Sequence, residues 1–550
     1  MNGRVRTAAA VLLAGSSIVW LAGASAAAGL RAPLPEPRFS LAPASPAAAV
    51  PDPVPFCLAA QAAAPAVRET PGRKPGRAWI ELGAFLAYST TSYWTRAAFP
   101  EDWQFQLRAH DQFERVFLLK GWRFDSNNFQ LNWSHVLAGG VYYQFARSNN
   151  LTWLESWLMA VAASTYWETV VEWKEVISLN DQITTGLGSF STGEPWYQVG
   201  HYLTHQPGLL ARVLSFVNPA VRFNHWLDRK KPGARDYAPP GWRDLAVFIG
   251  GRSLSRAGEP ARTSLDFGLR AQLLWPSDYG RTGDVRRSLK DVHFAGITLD
   301  YAVRNGRADE TGFSTAAVTL GSFRQKIAAG PAGFSLIIGL GTSFEYFKKR
   351  PFDTYDCAPV PVKQGYDLHL ERPRAFTDKL ALVHLAGPVV DWTVFRPGLR
   401  LRTVAEAYFD FGLINAWALN AYSELHHTPP DDTIADMKTT VAYYGYYYGF
   451  GGTFSGRTSL EWGNFRAQAS AGFGAWGSAD ALDRFQGEVT NNAHLSDNRF
   501  RWLAGAGWRV PGTSFEIYAR YEGIRRRGRV LEARAHGLEK RLFAGVEYSF

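Results

Sequence analysis

At 550 residues the chain is long for one domain and suits two structured parts behind a leader. Aromatic residues make up 14% of it, with 52 Gly, 23 Tyr and 20 Trp, a mixture that fits a barrel with aromatic girdles better than an ordinary soluble enzyme. The net charge of +10 is spread along the sequence, which in an exported protein points to anionic lipid headgroups or lipopolysaccharide and away from nucleic acid.

Residues 1–26 read as a secretory signal: Arg4 and Arg6 precede an apolar core, and Ala24 and Ala26 frame a small-residue cleavage site. Residues 27–77 are rich in Ala and Pro and cannot bury enough surface to order themselves, so they form a linker. Of the two cysteines, Cys57 falls in this linker and Cys357 in a polar stretch, leaving open whether they pair. Beyond the signal, the longest charge-free helical run is too short for a membrane-spanning helix.

Residues 78–232 read as a helical domain. Residues 79–94 are expected to form a helix, residues 100–130 to be irregular, and residues 135–147 to form a short helix whose Gly139 and Gly140 permit close packing. Thr152 with Glu155 marks a capping box at the start of a helix expected to reach Val176. On that helix Glu168, Glu172 and Glu175 would share one face. A further helix over 209–216 stops at Asn218-Pro219.

From residue 241 to 550 the period switches to two. Leu265, Phe267 and Leu269 alternate with Asp266, Gly268 and Arg270; Phe409 and Phe411 with Tyr408 and Asp410; Phe515, Ile517 and Tyr521 with Glu516, Tyr518 and Glu522. Expected strands of about 9 to 13 residues exceed those of soluble sheets. The last strand ends on Tyr548 and Phe550, similar to the terminal signal by which barrels reach the barrel assembly machinery. The reading is a β-barrel membrane protein with an α-helical domain and roughly 12 antiparallel strands, placed in the outer membrane of a Gram-negative bacterium among its lipids. Long polar insertions near 347–378, 424–436 and 477–499 are expected as extracellular loops. His426, His427, Asp431 and Asp432 in one of them offer metal ligands, although exposed loops of this kind are usually inert.

Within the helical domain Phe124-Asp125, Asn132, His135, Tyr142-Tyr143, Arg147, Trp167-Glu168, Glu172, Glu175, Asn180-Asp181, Gly193-Glu194 and Asn218-Pro219 occur in an order that resembles the bacterial DUF3943 family. The likeness spans about 100 residues. It implies a Gram-negative envelope protein and carries no established activity. Val136 stands where the family usually has Pro, and Gln198 and His225 fall where it often has Arg. A looser likeness to VanZ-like helical proteins rests on the His, the acidic helix and the following Asp.

His135, Glu168, Glu172 and Asp181 are the candidate catalytic residues, with Asn132, Arg147, Glu175, Asn180 and Glu194 in structural or binding roles. Four readings stay open. The acids could be structural, paired with Arg147, Arg212 or Lys174, or with lumen-facing Arg400, Arg402, Arg466 and Arg520. A helical plug in or below the barrel could gate it. His135 with two carboxylates could hold a cation, or act as acid and base on an envelope lipid or glycan. The domain could instead be a scaffold for periplasmic partners. The structural and gating roles are preferred to an enzyme, because no His-Glu-x-x-His, Gly-x-Ser-x-Gly or phosphate-binding loop occurs. No cofactor is expected, and the oligomeric state is left open.

Overall fold

The computed structural model describes residues 72–95, 104–125, 129–206, 208–215, 218–228, 239–350, 377–426, 441, 444–479 and 494–550. The signal, the linker up to residue 71, both cysteines, His427, Asp431 and Asp432 lie outside the described residues.

Helices come first: α1 Pro75–Thr95, α2 Ala109–Val116, α3 Phe129–Arg147, α4 Trp153–Tyr166, α5 Ser189–Thr204, α6 Leu209–Leu214 and α7 Pro219–Leu227. The capping box is present, Thr152 accepting from the Glu155 N–H and Glu155 accepting from that of Thr152. Asn218 caps α7, with Pro219 at its first position. Gly139 and Gly193 are where α3 meets its neighbours. A Cβ on Gly139 would lie 2.0 Å from the Thr185 carbonyl oxygen, and one on Gly193 2.6 Å from the Tyr143 ring.

Two expectations change here. Residues 100–130 are not wholly irregular: α2 lies among them, and Trp122–Arg123 pairs in parallel with Ile177–Ser178. The acidic helix does not run to Val176. Its α-helical part stops at Tyr166 and a π-helical turn, Trp167–Val171, follows. The wider turn rotates Glu168 out of the register that an unbroken α-helix would give it.

Twelve antiparallel strands then close into a barrel: β1 Trp242–Arg256, β2 Arg262–Leu274, β3 Phe294–Arg304, β4 Arg307–Ile327, β5 Gly333–Lys349, β6 Asp378–Arg396, β7 Leu399–Asn415, β8 Tyr446–Trp462, β9 Phe465–Ser478, β10 Leu495–Arg509, β11 Phe515–Val530 and β12 Ala533–Ser549. β12 pairs with β1 to close the ring, while the short segment Gly283–Leu289 pairs only with the last part of β4. Strands run from 11 to 21 residues, longer than the alternation suggested. The connections 350–377, 416–445 and 479–494 all leave from one end, and the barrel's own first and last residues lie at the other.

Which face is inside follows from the ion pairs. Arg252 of β1 meets Glu310 of β4 at 2.8 Å, Arg541 of β12 meets the same Glu310 at 2.9 Å, and Arg526 of β11 bonds Asp378 of β6. These strands are not neighbours, so their side chains can meet only across the lumen. The charged face is therefore internal and the apolar face external. Ile249, Phe454 and Leu542 on the external face are 56%, 61% and 55% exposed, as expected of side chains directed at acyl chains. This is the architecture of an outer-membrane β-barrel.

Described residues occupy the lumen at both ends. Tyr279, from the connection between β2 and β3, bonds Thr393 at 2.7 Å and packs with Phe294, Phe323 and Ile337. At the opposite end a short helix, α8 (Leu419–Leu425), packs Leu419 and Tyr422 against Tyr447 and Trp476. A cavity of about 20 Å³ near His293, Asp391 and Arg402 holds little more than one water.

Candidate functional site

Ala295 of β3, Phe344 of β5, Phe411 of β7 and Tyr446 and Tyr448 of β8 share the external face with Phe409 and Phe454, yet are fully buried. The helical domain covers them. Thr315 of β4 donates to the Ser191 carbonyl at 2.7 Å, Arg243 of β1 donates to the Tyr202 hydroxyl at 2.6 Å, and Asn132 donates to the hydroxyls of Tyr446 and Tyr448 at 2.6 Å. Phe124 stacks on Phe411 and Tyr448, and Trp133 packs on Tyr346. The expected plug is thus corrected: these helices lie against the outer wall. An apolar stripe can bury itself on either side of a barrel wall, and a lumen already filled with ion pairs leaves the outside.

The four candidate catalytic residues do come together, near the long-connection end of that wall. His135 Nδ1 lies 3.0 Å from Asp181 Oδ1 as an ion pair, with about a quarter of the His side chain still exposed. Asn180, fully buried, donates to Asp125 at 2.6 Å, to Asn132 at 3.1 Å and to Asp181 at 3.1 Å, while its own oxygen accepts from the Asp125 N–H at 3.0 Å. Ser178 caps the turn Leu179–Asp181 and its N–H donates to Glu168 at 2.9 Å. Trp167 donates to Glu172 at 2.7 Å, and Tyr93 of α1 bonds Glu175.

This group is rich in acid. Burial, reinforced by Asp181, pushes the Asp125 carboxyl up to about 8. Burial pushes Glu168 and Glu172 well above the carboxylate range, helped by Glu172 for the first and by Glu175 for the second. For His135 burial acts downward, but Asp181 and Asp125 outweigh it and hold the imidazole at about 9. The proposed cationic partners whose side chains are described are elsewhere, and the side chain of Arg212 lies outside those described. Arg147 pairs with Glu194 at 2.9 Å and Lys174 sits over the Trp173 ring. Arg402 pairs with Asp391, Arg400 with Glu461, and Arg466 and Arg520 with Glu547, all inside the barrel. His426 pairs with Glu532.

Glu194 belongs to a separate, compensated group, with Arg147, Tyr143 and Gln198 on its oxygens. Sequence reasoning missed Arg115, whose guanidinium is fully buried and donates to carbonyl oxygens around the acidic turn and to Gln112 Oε1. It also missed Tyr446 and Tyr448, which alternation marks as lipid-facing. Asp125 was legible only through the family likeness.

The resolved shifts of Asp125, His135, Glu168, Glu172 and Glu175 are all upward. A raised folded value contributes stability that is complete below the unfolded value, near 4 for a carboxyl and 6.5 for His, and is lost as pH rises through the folded value. The docked helices are therefore expected to loosen as pH climbs through about 8 for Asp125 and about 9 for His135. Hydrogen exchange over residues 129–187, corrected for the intrinsic rate, should rise there while the barrel strands stay protected. Equal protection at both ends of that range would refute the coupling.

Residues 121–220 match the DUF3943 family, a domain of unknown function. This DUF3943 region thus contains α3 to α5 and the four candidate catalytic residues. No curated protein matches the chain at a significant level. Solved structures with some similarity include OmpT, an outer membrane protein of Vibrio cholerae, at 5% identity and TM-score 0.21, covering 56% of this chain and 97% of that one. The translocator domain of the autotransporter NalP from Neisseria meningitidis is similar at 13% identity and TM-score 0.19, covering 57% and 90%. The β domain of the Bordetella autotransporter BrkA is similar at 11% identity and TM-score 0.20, covering 56% and 99%.

Proposed function

We propose that the chain resides in the outer membrane of a Gram-negative bacterium, with its long connections outward, and that the DUF3943 region is an acid–base site for an envelope lipid or glycan. The observation that carries this is the His135–Asp181 pair, partly open and set among four further acids on the wall that faces lipid. Buried acids in excess of their cations cost stability, and such groups cluster where chemistry needs them. Two π-helical turns flank the same residues, a local feature frequent at functional sites.

In this reading Asp181 orients the His135 ring, and His135 moves a proton on and off the substrate. Protonated Glu168 and Glu172 hold the acid form in reserve. The reaction would be hydrolysis or acyl transfer. Substrate would arrive laterally from the membrane rather than through the lumen. Leu154, Leu158, Val170 and Leu187, all exposed on the helices, suit acyl chains. The VanZ-like likeness would put the same His and acids at a site. Anionic lipids and lipopolysaccharide suit the basic chain, and Tyr548 and Phe550 suit recognition by the barrel assembly machinery.

A purely structural or scaffolding role is favoured by one observation, the complete pairing of Glu194. The two separate by experiment. His135→Gln should fold and dock, yet reproduce the envelope-lipid profile of a deletion strain, with a rate loss of about 10²–10⁴. Mass spectra of envelope lipids and glycans that are identical in wild type and deletion would end the enzymatic reading.

A further inference from the structure

A second cluster lies apart from the acids, near the end of the barrel where its own termini emerge. His201 lies in the last turn of α5, His205 is the C-cap residue that follows it four positions on, and His225 lies in the last turn of α7. One nitrogen from each ring falls within 4.8 Å of the others. The ring centroids are 4.5 Å apart for His201–His205, 5.3 Å for His205–His225 and 5.9 Å for His201–His225.

The geometry points to a divalent transition-metal site, formed by His201, His205 and His225 and suited to Zn²⁺. Two histidines spaced i, i+4 on one helix face present their nitrogens in the same direction. The third comes from a helix that packs on the first. Zn–N bonds of about 2.0–2.1 Å would bring the three nitrogens somewhat closer than they now stand, and each ring is half-buried at a helix end, where a small χ change suffices. His205 has its orientation set already. Its Nδ1 lies 2.8 Å from the His201 carbonyl oxygen, so in the neutral ring Nδ1 carries the proton and Nε2 is the nitrogen that would ligate. His201 is held by stacking on Tyr197.

Three imidazoles form a borderline donor set that suits Zn²⁺ and accepts Co²⁺. Half-burial leaves a fourth position to water. The metal would clip the end of α5 to α7 beside the Tyr202–Arg243 contact with the barrel, which makes its role structural and independent of the acid–base site.

The test uses the full chain without an oligohistidine tag, folded in detergent, stripped with chelator and titrated with Co²⁺. The expected result is one ion per chain with the intense visible bands of tetrahedral cobalt, displaced by Zn²⁺. His225→Gln should weaken binding at least about tenfold, and His201→Ala with His205→Ala should remove the bands, as expected for a site that needs all of its ligands. Folding of each variant is checked by the heat-dependent gel mobility of the barrel. Absence of tetrahedral bands in wild type would overturn the assignment, as would Co²⁺ binding unchanged by His225→Gln in a folded protein.

Discussion

Arg115→Ala is expected to release the segment that closes over the acidic turn, at a cost of about 3–5 kcal/mol from several carbonyls that lose their donor. The Arg115 side chain is fully buried, and its Nε donates to Glu175 O at 2.6 Å, Nη1 to Thr169 O at 3.1 Å and Nη2 to Glu172 O at 2.8 Å. Thr169 and Glu172 stand at the end of the π-helical turn and Glu175 beyond it, where regular helical pairing has ceased, although Glu172 O also accepts from the Glu175 N–H at 2.9 Å. The same guanidinium is the one buried cation from α2 beside Glu168, Glu172 and Glu175. Removing it leaves several carbonyl oxygens around the turn without their donor. Arg115→Lys should recover little, because a single ammonium cannot span carbonyls that a planar fork reaches together. Native-state hydrogen exchange over residues 104–125 and 167–178 is the readout. Protection as strong as in wild type would show that the turn holds itself.

The other large effect belongs to the barrel. Arg541 lies in the lumen with only 3% of its side chain exposed, 2.9 Å from Glu310, 3.1 Å from Glu522 and 3.5 Å from Glu539. Arg541→Ala removes the shared cation of acids on three strands, and should cost about 3–5 kcal/mol. Arg252 remains on Glu310 and Lys349 on Glu539, so loss of the barrel is not expected. Pairing Arg541→Met with Glu522→Gln should cost clearly less than the two changes summed, since the double change leaves less charge uncompensated. Urea unfolding followed by gel mobility measures both. Strict additivity would mean that the lumen is wet enough to screen these charges.

Much of this molecule can be read from residue order. Side chains alternate sides along a strand, so Phe267 against Asp266 and Ile517 against Glu516 already say which face meets lipid and which meets water. The barrel follows from that alternation sustained over long strands, and the start of α4 follows from Thr152 and Glu155 alone. His135, Glu168, Glu172 and Asp181 were identifiable as ionisable groups in apolar company.

Tertiary structure alone decided what covers each face. Tyr446 and Tyr448 alternate as lipid-facing residues would, but Asn132 and Phe124 lie on them, because alternation gives the direction of a side chain and not its neighbour. The helices could have buried their apolar sides in the lumen or on the outer wall. Cross-lumen pairs such as Arg541–Glu310, set only when β12 meets β1, left the wall as the available surface. The wide turn after Tyr166 is likewise shaped by packing, since the β-branched run Thr169–Val171 weakens the α-helix locally but does not specify a π-helical turn. The direction of a strand side chain depends on local pattern; where the acids meet a histidine depends on how α3, the π-helical turn and the turn Leu179–Asp181 pack together.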